Sequence, residues 1–113
     1  MLSNYDAPGL TNTNRLSVYT MMTCFNGFFQ DAYNESLSEA LLKSQGGAVA
    51  VWASTTLTDP SGQNTIDQEF YRLLFAAQPA TLGDASRAAK GTTSDADVRR
   101  TWTLFGDPAM RLR

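Results

Sequence analysis

A chain of 113 residues that is 42% hydrophobic and 18% charged is long enough for one packed domain and too apolar for a disordered segment. Its net charge of −2, with no basic cluster and no apolar run long enough to cross a bilayer, argues against a nucleic-acid or membrane partner. Because the chain has no histidine and one cysteine, these residues alone cannot form an internal disulfide, a Cys-based zinc site or a Cys–His catalytic pair, and we expect no metal or cofactor.

The first predicted elements form a strand–helix–strand unit. Residues 16–23 are rich in β-branched and aromatic side chains without clean alternation, which predicts a strand buried on both faces. Residues 35–44 carry apolar side chains at helical spacing and are followed by two glycines, so we expect a helix with Asn34 as its N-cap. The continuous apolar run 48–53 predicts a central parallel strand.

The rest of the chain is predicted to add two helices and one strand. Residues 54–64 are polar and typical of a loop, with a turn at 59–62. An apolar side chain every three or four residues predicts a helix over 65–78, and a threonine N-cap with a glycine stop predicts another over 81–90. Alternating apolar residues predict a strand over 101–105.

These elements indicate an α/β fold, a short mostly parallel sheet flanked by helices, in a single domain over residues 1–113. Open α/β sheets usually carry more than three strands, so the sequence is typical of the C-terminal half of a larger domain. The strand over 16–23 would then have an unpaired backbone edge. We therefore expect a homo-oligomer, most simply a symmetric dimer that covers this edge.

Cys24 is the first candidate for chemistry, because it lies where the first predicted strand gives way to a turn. Ligands bind at the carboxyl ends of the strands in open parallel sheets, and nucleophiles favour such turns. A free cysteine is also often a small buried hydrophobic residue, and its position alone favours this second interpretation. If Cys24 is functional, we expect it to be partly accessible and to face a crevice beside Ser54.

A series of segments in order along the chain resembles the gingipain-type cysteine peptidases, which are caspase-fold enzymes with a His/Cys dyad. The segments are TCFNGFF at 23–29, ESLSEALL at 35–42, GGAVAVWAS at 46–54, PSGQ at 60–63, FYRLLF at 70–75, TLGDA at 81–85 and TLFGDPAMRL at 103–112. The resemblance covers nearly the whole chain. It implies the fold of the C-terminal half of a caspase-like domain.

The resemblance implies that Cys24 is the nucleophile of a peptide-bond hydrolase and that its backbone N–H is one oxyanion donor. In the family the general base is a His followed by Gly on the preceding strand, which these residues do not contain. A thiol without a base is only a few per cent ionised at neutral pH, so the chain alone is expected to be inactive. The candidates for the substrate cleft are Asn26, Gly27, Ser54, Thr55 and Thr56, although an ordinary surface loop remains the alternative for 54–56.

A second hypothesis is a non-catalytic module that uses its free strand edge to self-associate or to bind an extended peptide. The partner would then be a second copy, a peptide or the missing N-terminal half. The presence of a His-Gly strand upstream in the reading frame would separate the two hypotheses. Two further residues are interpreted structurally: Trp52 as a packing residue and Asp107 as the cap of a turn.

Overall fold

The computed structural model describes residues 2–112 and contains three strands, four α-helices and one short 3₁₀ turn at Ala7–Gly9. In chain order the elements are β1 (Ser17–Met21), α1 (Leu37–Lys43), β2 (Ala48–Ser54), α2 (Pro60–Leu74), α3 (Leu82–Lys90), α4 (Ala96–Thr101) and β3 (Trp102–Gly106). Within the described residues, no helix combines the length and the apolar character that a membrane span requires.

The sheet has the strand order β1-β2-β3, with β2 in the centre. β1 runs parallel to β2, and Met21 pairs with Ala53 at the end of the two strands. β3 runs antiparallel to β2, with Ser54 paired to Trp102. The α/β fold with a short sheet is therefore confirmed. The sheet is mixed, since one of its two strand pairs is parallel and the other antiparallel.

β2 carries the core on both faces of the sheet, which explains its continuous apolar sequence. One face packs Ala50 and Trp52 against α2, α3 and α4, and the Trp52 indole stacks on Phe70 with ring centroids 5.3 Å apart. The other face packs Val51 and Ala53 against α1 and the 3₁₀ turn. Trp52 is fully buried, so its predicted packing role is confirmed.

The first two helices begin at other residues than the periodicity predicts. α1 starts at Leu37, because Ser36 and Glu39 form a capping box in which each side chain bonds the other residue's backbone N–H. α2 starts at Pro60 instead of residue 65, because the Asp59 carboxylate accepts the Ser61 N–H at 2.8 Å. The predicted turn at 59–62 is therefore the first turn of a helix.

The C-terminal part contains a helix that the periodicity does not predict. Asp95 caps α4 by accepting the N–H groups of Asp97 and Val98, and Val98 is fully buried against the core. After β3, the Asp107 carboxylate accepts the Ala109 N–H at 2.8 Å, which confirms its predicted role as a turn cap. The predicted helix over 81–90 is confirmed as α3, with Thr81 as its N-cap.

Candidate functional site

Cys24 lies in a tight turn three residues beyond the last residue of β1. Phe25, the next residue, has a φ of +64°, a left-handed conformation that costs a non-glycine residue about 1–2 kcal/mol. The Phe28 N–H closes the turn on the Phe25 carbonyl at 3.0 Å. Strained backbone next to a potential nucleophile is a feature that clusters at functional sites.

The turn is fixed in place by the segment that follows β2 and by α1. The Gly27 N–H donates to the Ser54 carbonyl at 2.9 Å, and Ser38 donates to the Asn26 carbonyl through both its backbone N–H and its hydroxyl. A Cβ atom at Gly27 would lie 2.8 Å from the Phe105 ring, so only glycine fits there without a shift of that ring. The turn is thus held by β2, β3 and α1 together.

The Cys24 sulfur contacts Thr58 and Gln63, which the sequence does not single out. The thiol donates to the Thr58 carbonyl at 3.6 Å, and the Thr58 N–H donates to the sulfur at 3.5 Å. The Gln63 side-chain amide, in the first turn of α2, donates to the sulfur at 3.8 Å. Cys24 itself is partly exposed, which agrees with its predicted accessibility.

A chain of hydrogen bonds joins this loop to the turn. The Thr58 hydroxyl donates to the Ser54 hydroxyl, which donates to the Thr56 carbonyl at 2.9 Å. The same Thr56 carbonyl accepts the Phe25 N–H at 3.3 Å. The Cys24 sulfur therefore bonds Thr58, whereas Ser54 supports the turn through its own carbonyl and through its hydroxyl bonds to Thr56 and Thr58.

The five residues predicted to line a substrate cleft occupy different environments. Gly27, Ser54 and Thr55 are buried. The Gly27 N–H donates to the Ser54 carbonyl at the end of β2, and the Thr55 N–H donates to the Thr101 carbonyl at the end of α4. Asn26, which is part of the Cys24 turn, and Thr56, whose carbonyl accepts the Phe25 N–H, are both partly exposed.

An open groove of about 400 Å³ runs along the free edge of β1 and reaches the Cys24 turn. Its lining is mostly apolar, and its residues are Leu2, Tyr19, Met21, Met22, Thr23, Asn26 and Leu37. We call it the β1-edge groove. Among residues 2–112, β1 pairs with β2 alone, so the groove lies beside a strand with one unpaired edge.

Asp67 is the one carboxyl of α2 with an atom, Oδ1, that is buried without a hydrogen-bond partner among residues 2–112. Burial raises the pKa of this carboxyl above its ordinary 3.8. The pKa of this carboxyl is higher in the folded protein than in the unfolded chain, so ionisation lowers the free energy of unfolding. This loss of stability begins as pH rises above 3.8 and is complete at neutral pH. Asp67→Asn is therefore expected to raise Tm at neutral pH.

Thermal unfolding followed by circular dichroism at neutral pH and well below pH 3.8 checks this expectation. The gain should vanish at the acidic pH, because both forms of residue 67 are then uncharged. Asp97→Asn, at an exposed carboxyl, is the control and should not stabilise at either pH. A gain in Tm of the same size at both pH values would contradict the role of charge burial.

Comparisons with known proteins agree with the resemblance seen in the sequence. The sequence model that describes Peptidase family C25 matches residues 1–113. The fold is similar to the crystal structure of the Arg-specific cysteine proteinase gingipain R (RGPB), with a TM-score of 0.87 and 26% identity. It is also similar to the complex of Porphyromonas gingivalis RgpB pro- and mature domains, with a TM-score of 0.83 and 26% identity.

Both matches cover 97% of this chain but 29% of the gingipain chain. The 113 residues thus span less than a third of either solved relative. Among curated proteins, none matches the chain in sequence.

Proposed function

Because the chain belongs to Peptidase family C25, we propose that Cys24 is the nucleophile of a cysteine endopeptidase whose general base lies outside these 113 residues. The family and the similarity to gingipain R support a cysteine peptidase-like function. The observation that carries the assignment to Cys24 is its place in a strained, firmly held turn at the carboxyl end of β1.

The turn also supports the predicted oxyanion donor. The backbone N–H of Cys24 donates to no acceptor among residues 2–112, whereas the N–H groups of Phe25 and Gly27 are both used. An N–H that is free at the nucleophile is available to a carbonyl oxygen that becomes negative during acyl transfer. One donor from this chain, and a second from elsewhere, would complete an oxyanion hole.

The reaction requires a proton acceptor that these residues do not supply. The Cys24 thiolate would attack the scissile carbonyl carbon, and the C–N bond would break as the leaving amine takes up the proton removed from the thiol. Water would then release the acid product and restore the thiol. With no histidine in the chain, the proton carrier belongs to another segment, as the family's His-Gly strand implies.

The β1-edge groove is where we place that other segment. It adjoins the Cys24 turn through Thr23 and Asn26, and its apolar lining and the unpaired β1 edge suit an added strand. We propose that residues 1–113 are the C-terminal part of a larger catalytic domain and that Asn26 and Thr56 flank its substrate cleft. Gingipain R acts on Arg sites, but none of the residues we assign to this cleft carries an acidic group that would select a basic side chain.

The coding sequence immediately upstream of Met1 tests this proposal first. A His-Gly strand encoded there would allow the longer polypeptide to be assayed on a broad set of peptides, with hydrolysis expected only when both the His and Cys24 are present. Inactivity of a well-folded longer polypeptide would overturn the peptidase assignment. An upstream sequence without such a strand would favour the second hypothesis.

The second candidate, a non-catalytic module that self-associates or binds a peptide, is favoured by the same unpaired edge and groove. The groove exposes Met22 beside β1, and a second copy pairing with this edge would cover it. We therefore expect the isolated chain to form a two-fold symmetric dimer. Light scattering after gel filtration should give twice the single-chain mass of 12.3 kDa.

A dimer that forms through this edge should dissociate when the edge is charged. Tyr19→Lys places a charge in the groove, whereas Arg99→Glu on α4 changes an exposed charge elsewhere and is the control. A monodisperse monomer at micromolar concentration would contradict the self-association hypothesis and leave the groove to another segment.

A further inference from the structure

The two chain segments that form the Cys24 turn and the loop opposite it carry no charged side chains. Residues 22–30 and 54–58 contain no Asp, Glu, Lys or Arg, and the residue that follows each segment, Asp31 or Asp59, is acidic. Their carboxylates accept hydrogen bonds within their own turns. Within these two segments, only hydrogen-bond donors are present to stabilise a thiolate at Cys24.

Two donors reach the sulfur from the same side. The Thr58 N–H lies 3.5 Å away and the Gln63 side-chain amide 3.8 Å away. Gln63 is only 3% exposed, and it belongs to a helix whose first turn is fixed by the Asp59 cap. A buried amide on a rigid element keeps its direction, which is what a group that orients a nucleophile requires.

We propose that Gln63 is a positioning residue, whose amide acts with the Thr58 N–H to hold the Cys24 sulfur and to stabilise its thiolate form. The proposal rests on the proposed function, since it assigns a positioning residue to the same nucleophile, Cys24. In the thiol form, the S–H group donates to the Thr58 carbonyl at 3.6 Å. Ionisation removes that bond, but both N–H donors remain and bond a negative sulfur more strongly.

The other contacts of Gln63 explain why its amide stays in place before ionisation. The amide nitrogen also donates to the Thr58 hydroxyl at 2.8 Å and to the Thr58 carbonyl at 3.1 Å. Its two hydrogens are thus shared among three acceptors, of which the sulfur is the most distant. When the sulfur ionises, we expect the existing N–H···S contact to strengthen without a reorientation of the side chain, because the charged acceptor is the strongest of the three.

The rate of Cys24 alkylation tests this directly, because the chain has one cysteine and iodoacetamide then reports on that sulfur alone. Gln63→Glu keeps the shape, removes the donor and adds a carboxylate beside the sulfur, and the two changes together are expected to slow alkylation at neutral pH by roughly tenfold. At strongly alkaline pH, where every thiol is ionised, the two rates should agree within about threefold. Asn64→Asp makes the same chemical change at the next, exposed position and should leave both rates as in wild type.

The pH profile separates positioning from access. An equal change at both pH values, or no change at neutral pH, would overturn the proposal. Gln63→Met, which has a similar length, no charge and no donor, is measured beside Gln63→Glu, and in place of it if that variant fails to fold by circular dichroism. It separates the lost donor from the added charge, with an expected slowing of about threefold at neutral pH and none at strongly alkaline pH.

The assay needs neither substrate nor a base, so it is independent of the peptidase assignment. If the Gln63 variants slow alkylation at neutral pH but the longer polypeptide hydrolyses no peptide, the role of Gln63 at the sulfur is supported and the proposed function is rejected.

Discussion

Replacing Cys24 with alanine is expected to lower peptide hydrolysis by at least about a thousandfold in any form of the protein that also supplies the base. The loss is large because Cys24 carries the single thiol of the chain, and the Ser54 hydroxyl of the adjacent loop is fully buried and bonded to the Thr56 carbonyl. Initial rates on a peptide library, with Ser94→Ala as an exposed control, measure the effect.

The 113-residue chain by itself gives the complementary result. It has no histidine, and a thiol without a base is ionised to only a few per cent at neutral pH, so hydrolysis above background is not expected. Cys24-dependent turnover by this chain alone would show that another group removes the proton, and it would contradict the need for a base from outside.

The largest expected loss of stability follows truncation of Trp52. This side chain is fully buried and stacks on the Phe70 ring. The Trp52 ring centroid also lies 5.5 Å from that of Trp102 and 5.6 Å from the Lys90 ammonium. Trp52→Ala removes all of these contacts and leaves a cavity, so the free energy of unfolding should fall by roughly 3–5 kcal/mol. Urea denaturation measures the change.

Two further variants are the controls for the loss of stability in Trp52→Ala. Tyr33→Ala removes a ring that is 95% exposed and should change the free energy of unfolding by less than about 0.5 kcal/mol. Trp52→Phe keeps an aromatic ring in the site and should lose less than Trp52→Ala. A loss below about 1 kcal/mol for Trp52→Ala would mean that the core repacks around the gap.

Local signals made the main elements of this fold predictable. The apolar run of β2 and the Thr81 cap of α3 depend on neighbours in sequence, and the structure places both as expected. The start of α2 is also predictable from the sequence, because Asp59-Pro60 is a typical N-cap followed by proline at the first helical position. The pattern nevertheless predicts a turn at 59–62, because the polar residues of the first helical turn hide the apolar face.

The surroundings of Cys24 were not predictable in the same way. Thr58 and Gln63 are 34 and 39 residues away from it in the chain, and their contacts with the sulfur depend on how β1 and α2 sit on either side of β2. The antiparallel direction of β3 was equally unpredictable, because an alternating apolar pattern does not indicate whether the neighbouring strand runs parallel or antiparallel. Both the contacts of the sulfur and the direction of β3 depend on tertiary packing, which local sequence patterns do not specify.

The strand order also has a consequence for synthesis of the protein. Neither strand pair is a hairpin: Met21 pairs with Ala53, and Ala50 pairs with Gly106. A chain emerging from the ribosome therefore displays β2, its most apolar strand, with one edge unpaired until β3 appears some 50 residues later. Long loops must close before the sheet can form, so folding in milliseconds to seconds is expected, and the nascent chain passes through an interval in which chaperone binding competes with aggregation.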